Sequence, residues 1–273
     1  MFTNNFLGIS MKYKFVFPTA LAAIILICSC SNGTSQSNND PDLEGIDITS
    51  EKSDEETFEP DNESCDEDIA VDKIVVDYST NTYILTCGEH AAVIDPGSKP
   101  ESIEMVLENR TVDLLLLTHG HFDHIMGLDR LKQTYPYAKV AIHEDDQDFL
   151  YEPSLNMSSH YIDVDYVFSG KVDIAFTEKD TIQFCGKDIS IIHLPGHTPG
   201  SSAFCYDDTV FVGDTLMYMR IGVIDLPHSD EDQLIKSIKE KLFTLDDETI
   251  VYPGHGRSTT IGFEKENNPD LQD

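Results

Sequence analysis

The chain has 273 residues, 40% of them hydrophobic, with 50 acidic against 18 basic side chains and a formal net charge of −32. That imbalance excludes recognition of nucleic acid, or of an anionic membrane surface, through charge. The hydrophobic share is ordinary for a globular protein, and the part that reads as foldable, about 200 residues, is enough for one domain with a substantial core.

The N-terminus reads as a targeting segment. A short basic start, Met11-Lys12-Tyr13-Lys14, precedes an apolar run from Phe15 to Ile27 and then Ile27-Cys28-Ser29-Cys30. Basic start, short apolar core and small residue before a cut describe a secretory signal. A Cys directly after a small residue resembles a bacterial lipoprotein cleavage box, with Cys30 lipidated; Cys28 fits worse because Ile27 precedes it. The run is short for a spanning helix, which needs about 20 residues. Residues 1–30 are therefore expected to be a lipoprotein signal peptide. The mature protein would then be exported and lipid-anchored through Cys30 to a bacterial membrane, on its periplasmic or cell-surface side.

Residues 31–70 are rich in Ser, Asn, Asp and Glu, and between Asp40 and Asp68 there are 14 acidic residues and one Lys. Such a segment buries too little surface to offset its ordering entropy, and its like charges extend it. It is expected to be a disordered acidic tether. Cys65, Cys87, Cys185 and Cys205 follow Cys30, and none forms a metal-type Cys-x-x-Cys pair. They read as structural; export permits disulfides, and the pairing stays open.

From residue 71 to 273 the pattern becomes that of a folded domain. Ile74-Val75-Val76, Thr82-Tyr83-Ile84-Leu85 and Ala91-Ala92-Val93-Ile94 are short β-rich runs between turn residues. Pro100 to Arg110 is predicted helical. Asp113 to Thr118 contains four consecutive leucines, as expected of a strand covered on both faces. His124 to Tyr135 is predicted to be a helix with Ile125, Leu128 and Leu131 on one side. A second set of strands follows at Thr181–Phe184, Asp188–Leu194, Ser201–Tyr206 and Thr209–Val212, then a helix at Asp230–Phe243 and a strand at Thr249–Val251. Two strand sets, each with helices, predict an α/β fold in which two sheets pack face to face with helices outside.

The chemistry concentrates directly after the leucine strand, in Thr118-His119-Gly120-His121-Phe122-Asp123-His124. In an extended loop His119 and His121 point the same way. Asp123 and His124 then turn at a helix start and face a neighbouring point, so one cluster can serve two adjacent metals. Imidazole and carboxylate ligands suit zinc, iron or manganese. Later candidates each sit at a strand end bracketed by Gly or Pro: His197 in Pro195-Gly196-His197-Thr198-Pro199-Gly200, Asp214 in Val212-Gly213-Asp214-Thr215, and His255 in Pro253-Gly254-His255-Gly256. Together they make seven candidate ligands.

These motifs resemble the metallo-β-lactamase superfamily, over roughly Val71 to Pro269. The resemblance implies a four-layer αβ/βα sandwich of two mixed sheets, with two divalent metals at one edge, zinc first and iron or manganese as alternatives. It assigns one metal to His119, His121 and His197 and the other to Asp123, His124 and His255. Asp214 bridges both, and Asp95, in Val93-Ile94-Asp95-Pro96-Gly97, supports the ligands from behind. The tail Tyr252-Pro253-Gly254-His255-Gly256-Arg257-Ser258-Thr259-Thr260-Ile261-Gly262, with Glu264-Lys265 and Asn267-Asn268-Pro269, resembles the short glyoxalase-II-like (hydroxyacylglutathione hydrolase-like) branch. So do Ile221-Gly222 and Asp225-Leu226-Pro227. Two positions depart from that branch: Val223 stands where it usually carries Arg, and Arg220 where it carries a small residue. Glyoxalase II has an added C-terminal helical domain that helps hold glutathione, and this chain stops at Asp273. A thioester other than a glutathione one is therefore expected.

The implied activity is hydrolysis of a thioester or related ester, a small-molecule substrate, by attack of a metal-bound hydroxide, with Asp123 and Asp214 as catalytic residues. A thiolate leaves without a proton from the enzyme, which suits a site with no evident general acid. Alternatives are ring hydrolysis of the lactonase or β-lactamase type and mononuclear-iron persulfide dioxygenation. β-Lactamases with a similar His cluster lack an Asp at the Asp214 position. No protein partner is implied. His90, His143, His160, His193 and His228 lie outside the motifs and are expected in surface or packing roles, with His228 the one near enough to touch substrate. Met217, Tyr218, Met219 and Arg220 read equally as pocket wall or as plain loop.

Overall fold

The computed structural model describes residues 68–272. The signal segment, Cys30, nearly all of the tether and Cys65 lie outside the described residues. Two six-stranded sheets organise the rest. In the first, β1 (Ala70–Val75), β2 (Asn81–Cys87) and β3 (His90–Ile94) run antiparallel. Helix α1 (Pro100–Leu107) returns the chain to β4 (Thr111–Leu116), parallel to β3. Helices α2 (Phe122–Ile125) and α3 (Leu128–Thr134) lead to β5 (Lys139–His143), parallel to β4. A 3-10 helix (Glu144–Leu150) and α4 (Ser158–Tyr161) precede β6 (Ile174–Phe176), parallel to β5.

The second sheet begins with an antiparallel meander of β7 (Thr181–Phe184), β8 (Lys187–His193), β9 (Ser202–Tyr206) and β10 (Thr209–Gly213). A small hairpin of β11 (Leu216–Met217) and β12 (Arg220–Ile221) follows. Helix α5 (Glu231–Glu240) crosses over to β13 (Ile250–Pro253), parallel to β10. Strand β14 (Thr259–Thr260) closes the edge, followed by α6 (Ile261–Asn267).

The strand sequences explain the layering. On β4, Leu115 and the following Leu117 pack with Ile103 and Leu107 of α1 and Leu128 and Leu131 of α3. Leu114 and Leu116 face the other way, into a layer with Phe184, Ile189, Ile191, Phe204 and Phe211 of the second sheet. A third apolar layer sets Val210, Val212 and Val251 against Leu234 and Ile238 of α5 and Ile261 of α6. Helix, sheet, sheet, helix is the four-layer αβ/βα sandwich, and an all-apolar strand is what a doubly covered sheet requires. Each fully buried leucine contributes about 2 kcal/mol.

The expected helix over residues 124–135 is instead two helices. Gly127 separates them, and its N–H is held by the Pro96 carbonyl at 2.8 Å; a Cβ there would stand 2.4 Å from the Gly97 carbonyl oxygen. Helix α1 stops at Leu107 rather than Arg110, because Glu108 turns to φ 52°. The helix expected to reach Phe243 ends at Glu240 and continues as a 3-10 turn, Leu242–Thr244. Among the described residues no helix is long and apolar enough to cross a membrane.

Candidate metal centre

The parallel pairs β3/β4 and β10/β13 point their C-terminal ends to one edge of the sandwich, the end of such strands where sites are commonly built. Asp95 follows β3, the His119–His124 segment follows β4, Asp214 follows β10 and His255 follows β13, while His197 joins β8 to β9. The sheets are stitched at this edge. The Asn81 N–H donates to the Gly254 carbonyl (2.7 Å), the Tyr83 hydroxyl to the Pro253 carbonyl (2.7 Å), and the Ser202 N–H to the Thr118 carbonyl (2.8 Å). All seven residues singled out in the sequence meet there.

They form two adjoining groups. In one, nitrogens of His119, His121 and His197 lie within 4.8 Å of one another, with His121 Nδ1 and His197 Nε2 3.0 Å apart. In the other, Asp123, His124 and His255 converge within the same limit. Asp214 lies between the groups. Its Oδ2 is 3.7 Å from His197 Nε2 and 3.3 Å from His255 Nε2, and its Oδ1 is 3.5 Å from His124 Nε2. Donor atoms around one tetrahedral cation at ~2.0–2.2 Å stand ~3.3–3.6 Å apart, close to the 3.3–3.7 Å separations around Asp214. Gly254 permits the approach of β13: a Cβ there would fall 2.1 Å from Asp214 Oδ1.

The outward nitrogens of four rings are tethered, and several inward atoms have no partner. His119 Nδ1 lies 3.1 Å from Thr118 Oγ1, His124 Nδ1 3.0 Å from Asp95 Oδ2, His197 Nδ1 2.8 Å from the Val223 carbonyl, and His255 Nδ1 3.0 Å from the Ser79 carbonyl. Each contact orients a ring so that Nε2 faces the centre. His119 Nε2, His124 Nε2 and Asp214 Oδ1 are buried without a hydrogen-bond partner. Orphaned buried lone pairs on imidazoles and a carboxylate are expensive unless a cation takes them, so the donor set fits divalent metal ions. Asp95 is the hub behind them. Its carboxylate also accepts from the Thr118 N–H (2.8 Å) and hydroxyl (2.7 Å), and its backbone takes φ 51° to do so.

The electrostatics divide the same way. Burial, with neighbouring imidazoles, holds His119 and His197 below the usual histidine range and brings His121 down to about 3. These rings stay neutral, as ligands must. Burial also disfavours charge on His124 and His255, but the Asp123 and Asp214 carboxylates outweigh it and raise them to about 9 and about 11. Conversely, burial is outweighed at Asp123, which His124 brings down to about 2, and at Asp214, which His124 and His255 hold well below the carboxylate range.

Other residues resolve as follows. His143 is buried, stacks on His193 at 4.0 Å and converges with His193 and Asp145 in a further cluster whose ligand atoms lie within 4.8 Å of one another; His90 pairs with Asp113 on the surface. His228 is exposed and faces Phe149, whose ring lies 6.3 Å from it and 6.1 Å from His121. Met217 is buried; Tyr218 stacks on Phe263 at 5.2 Å. The exposed Arg220 points a guanidinium nitrogen at Met217 Sδ (3.2 Å), whereas Arg257 lies over the Tyr218 ring at 3.4 Å. Sequence reasoning gave no role to three residues near the site. Thr80 donates to Asp123 Oδ2 at 2.6 Å. Glu264 is fully buried and accepts from the Met219 N–H and the Thr259 hydroxyl, ordering the hairpin after Asp214. The third, Asp146, is buried between two ligand loops. Glu264 belongs to the tail motif, while Asp146 sits in an acidic run that looks like surface.

Residues 75–255 match the metallo-beta-lactamase superfamily. Hydroxyacylglutathione hydrolase GloC of Haemophilus influenzae is 38% identical over 188 residues, covering 67% of this chain and 88% of that protein. Among solved structures, the BLEG-1 B3 metallo-beta-lactamase is 34% identical with a TM-score of 0.71, covering 75% of this chain and 100% of its own. TTHA1623, solved in a di-iron-bound form, is 31% identical with a TM-score of 0.64, covering 73% and 99%. With the sandwich, the two candidate ligand groups and these matches in agreement, the chain belongs to the metallo-β-lactamase superfamily, among its metal-dependent hydrolases.

Proposed function

We propose that this protein hydrolyses a thioester or related ester at a two-cation centre, with His119, His121 and His197 holding one cation, Asp123, His124 and His255 the other, and Asp214 shared. The observation that carries the reading is Asp214, which stands within 3.3–3.7 Å of ligand nitrogens from both groups and keeps Oδ1 free of any donor. Two bound divalent cations would supply Lewis acidity for a substrate carbonyl and bring the pKa of a shared water toward neutrality. Zinc is the first candidate for both; iron is the alternative, given the di-iron form of TTHA1623.

The chain's own groups do the rest. Asp95, Thr118 and the Val223 and Ser79 carbonyls fix the four tethered rings before substrate arrives. The hydroxyls of Thr118 and Thr80 are engaged by Asp95 and Asp123, so neither is poised as a nucleophile. A thiolate leaving group needs no proton donor. Beside α2, a groove of about 340 Å³ lined by Tyr78, Met126, Ile162, Asp163, Val164, Asp165 and Tyr166 offers room for part of the substrate. Similarity to GloC supports a thioester. A second reading, opening of a β-lactam or lactone ring, is favoured by the likeness to BLEG-1.

The test is metal content per chain, followed by kinetics on matched thioester, lactone, β-lactam and persulfide substrates. Two metals per chain and a kcat/KM highest for a thioester are expected. Preference for the persulfide with one iron per chain would replace this reading with oxygenation. The further proposal that the enzyme works at a bacterial membrane, anchored through Cys30, rests on the signal-like N-terminus.

A further inference from the structure

The 3-10 helix Glu144–Leu150 contributes no candidate ligand, yet one of its side chains touches both loops that supply the three-histidine group. Asp146 is fully buried. Its Oδ2 accepts the N–H of Gly120 (3.1 Å), which lies between His119 and His121. The same oxygen accepts the hydroxyl of Thr198 (2.7 Å), next to His197, while Oδ1 accepts the Gly200 N–H at 2.7 Å. The Thr198 hydroxyl is further held by Ser201 Oγ at 2.7 Å, so its direction toward the carboxylate is set. Gly200 is pressed onto this carboxylate so closely that a Cβ there would stand 2.7 Å from Asp146 Cβ and Cγ. No cation among the described residues forms a salt bridge with Asp146. The burial is therefore compensated only by hydrogen bonds from the two loops, an arrangement whose value depends on both loops being in place.

We infer that Asp146 is a positioning residue for the three-histidine group: by bonding the His119–His121 loop to the His197 loop through one carboxylate, it sets the distance at which those imidazoles meet. The inference rests on the metal-ligand reading of that group. It assigns Asp146 a selective task, because the Asp123–His124–His255 group is supported separately, by Asp95, Thr80 and the Ser79 carbonyl. Asp146→Asn keeps one acceptor oxygen but turns the other position into a donor facing an N–H or a hydroxyl. Thr198→Val removes one donor and leaves the carboxylate in place.

Wild type, Asp146→Asn, Asp146→Ala and Thr198→Val are each stripped of metal, melted, and titrated with Co²⁺ while the visible absorption of the bound ion is recorded. In the Asp146 variants one of the two equivalents should bind about 10- to 100-fold more weakly, with a changed spectrum, while the other keeps wild-type affinity. Thr198→Val should give the same selective loss to a smaller extent, and carries the test if an Asp146 variant does not fold. Variants that melt earlier yet bind both equivalents with wild-type affinity and spectrum would show a merely structural clamp and overturn the inference, as would equal weakening of both equivalents. A wild type that binds no Co²⁺ would instead overturn the metal reading itself, and this inference with it.

Discussion

Asp95→Asn tests the carboxylate behind His124, whose Oδ2 also meets the Thr118 hydroxyl. The left-handed backbone at φ 51° is retained, since Asn tolerates that region about as well as Asp. The amide oxygen can keep the Thr118 N–H at the Oδ1 position, where the carboxylate now holds it at 2.8 Å. The amide nitrogen then replaces Oδ2, which stands 2.7 Å from the Thr118 hydroxyl and 3.0 Å from His124 Nδ1. The hydroxyl can rotate and accept, but an Nδ1–H cannot. His124 must lose that bond or move its proton to Nε2, the atom 3.5 Å from both Asp123 and Asp214. A hydrogen bond to a charged group is worth about 1.5–3 kcal/mol, and at about 1.4 kcal/mol per decade the affinity for the cation on His124 should fall roughly 10- to 150-fold. Competition of the metal-loaded protein against a chromophoric chelator reads that affinity directly. An Asn variant that binds both equivalents as tightly as wild type would refute the claim that Asp95 sets the His124 tautomer.

Other expectations follow from the same geometry. Gly254→Ala should fold but fail to hold two metals, because its methyl would enter the space 2.1 Å from Asp214 Oδ1; full occupancy by elemental analysis would contradict this. His124 and His255 are raised to about 9 and about 11 by the carboxylates facing them. Groups raised in the folded state stabilise fully below their unfolded value and lose that contribution as pH climbs through the folded one. The melting temperature of metal-free protein should therefore fall from about pH 7 toward pH 10, whereas one that is flat or rising would be inconsistent with these ion pairs. Cys30→Ala should release the protein from membranes, and deleting residues 31–70 should leave soluble activity intact. Retention of the Cys30 variant after detergent-free washing would favour a spanning helix.

Much of the architecture was legible because it is written in local pattern. Leu114 to Leu117 announce a strand covered on both faces, and they feed two different apolar layers. The convergence of the candidate ligand loops was legible because three imidazoles and a carboxylate in six positions have few other uses. Strands β5 and β6 were not: Lys139–His143 is short and begins with a charge, and Ile174–Phe176 has three residues. The break at Gly127 depends on the Pro96–Gly97 turn packing against it, a contact between distant segments. Asp146 was hidden for the same reason. In Glu144-Asp145-Asp146-Gln147-Asp148 nothing local distinguishes the one carboxylate that is buried from its exposed neighbours, and only the tertiary fold brings Gly120, Thr198 and Gly200 to it.

The central claim is that Asp214 holds two cations together for hydrolysis, and metal content of purified wild type against Asp214→Ala, measured alongside turnover of a simple thioester, tests it most directly. The expected result is two equivalents in wild type, about one in the variant, and loss of most of the hydrolysis with the fold intact. Full occupancy and unchanged turnover in Asp214→Ala would contradict it.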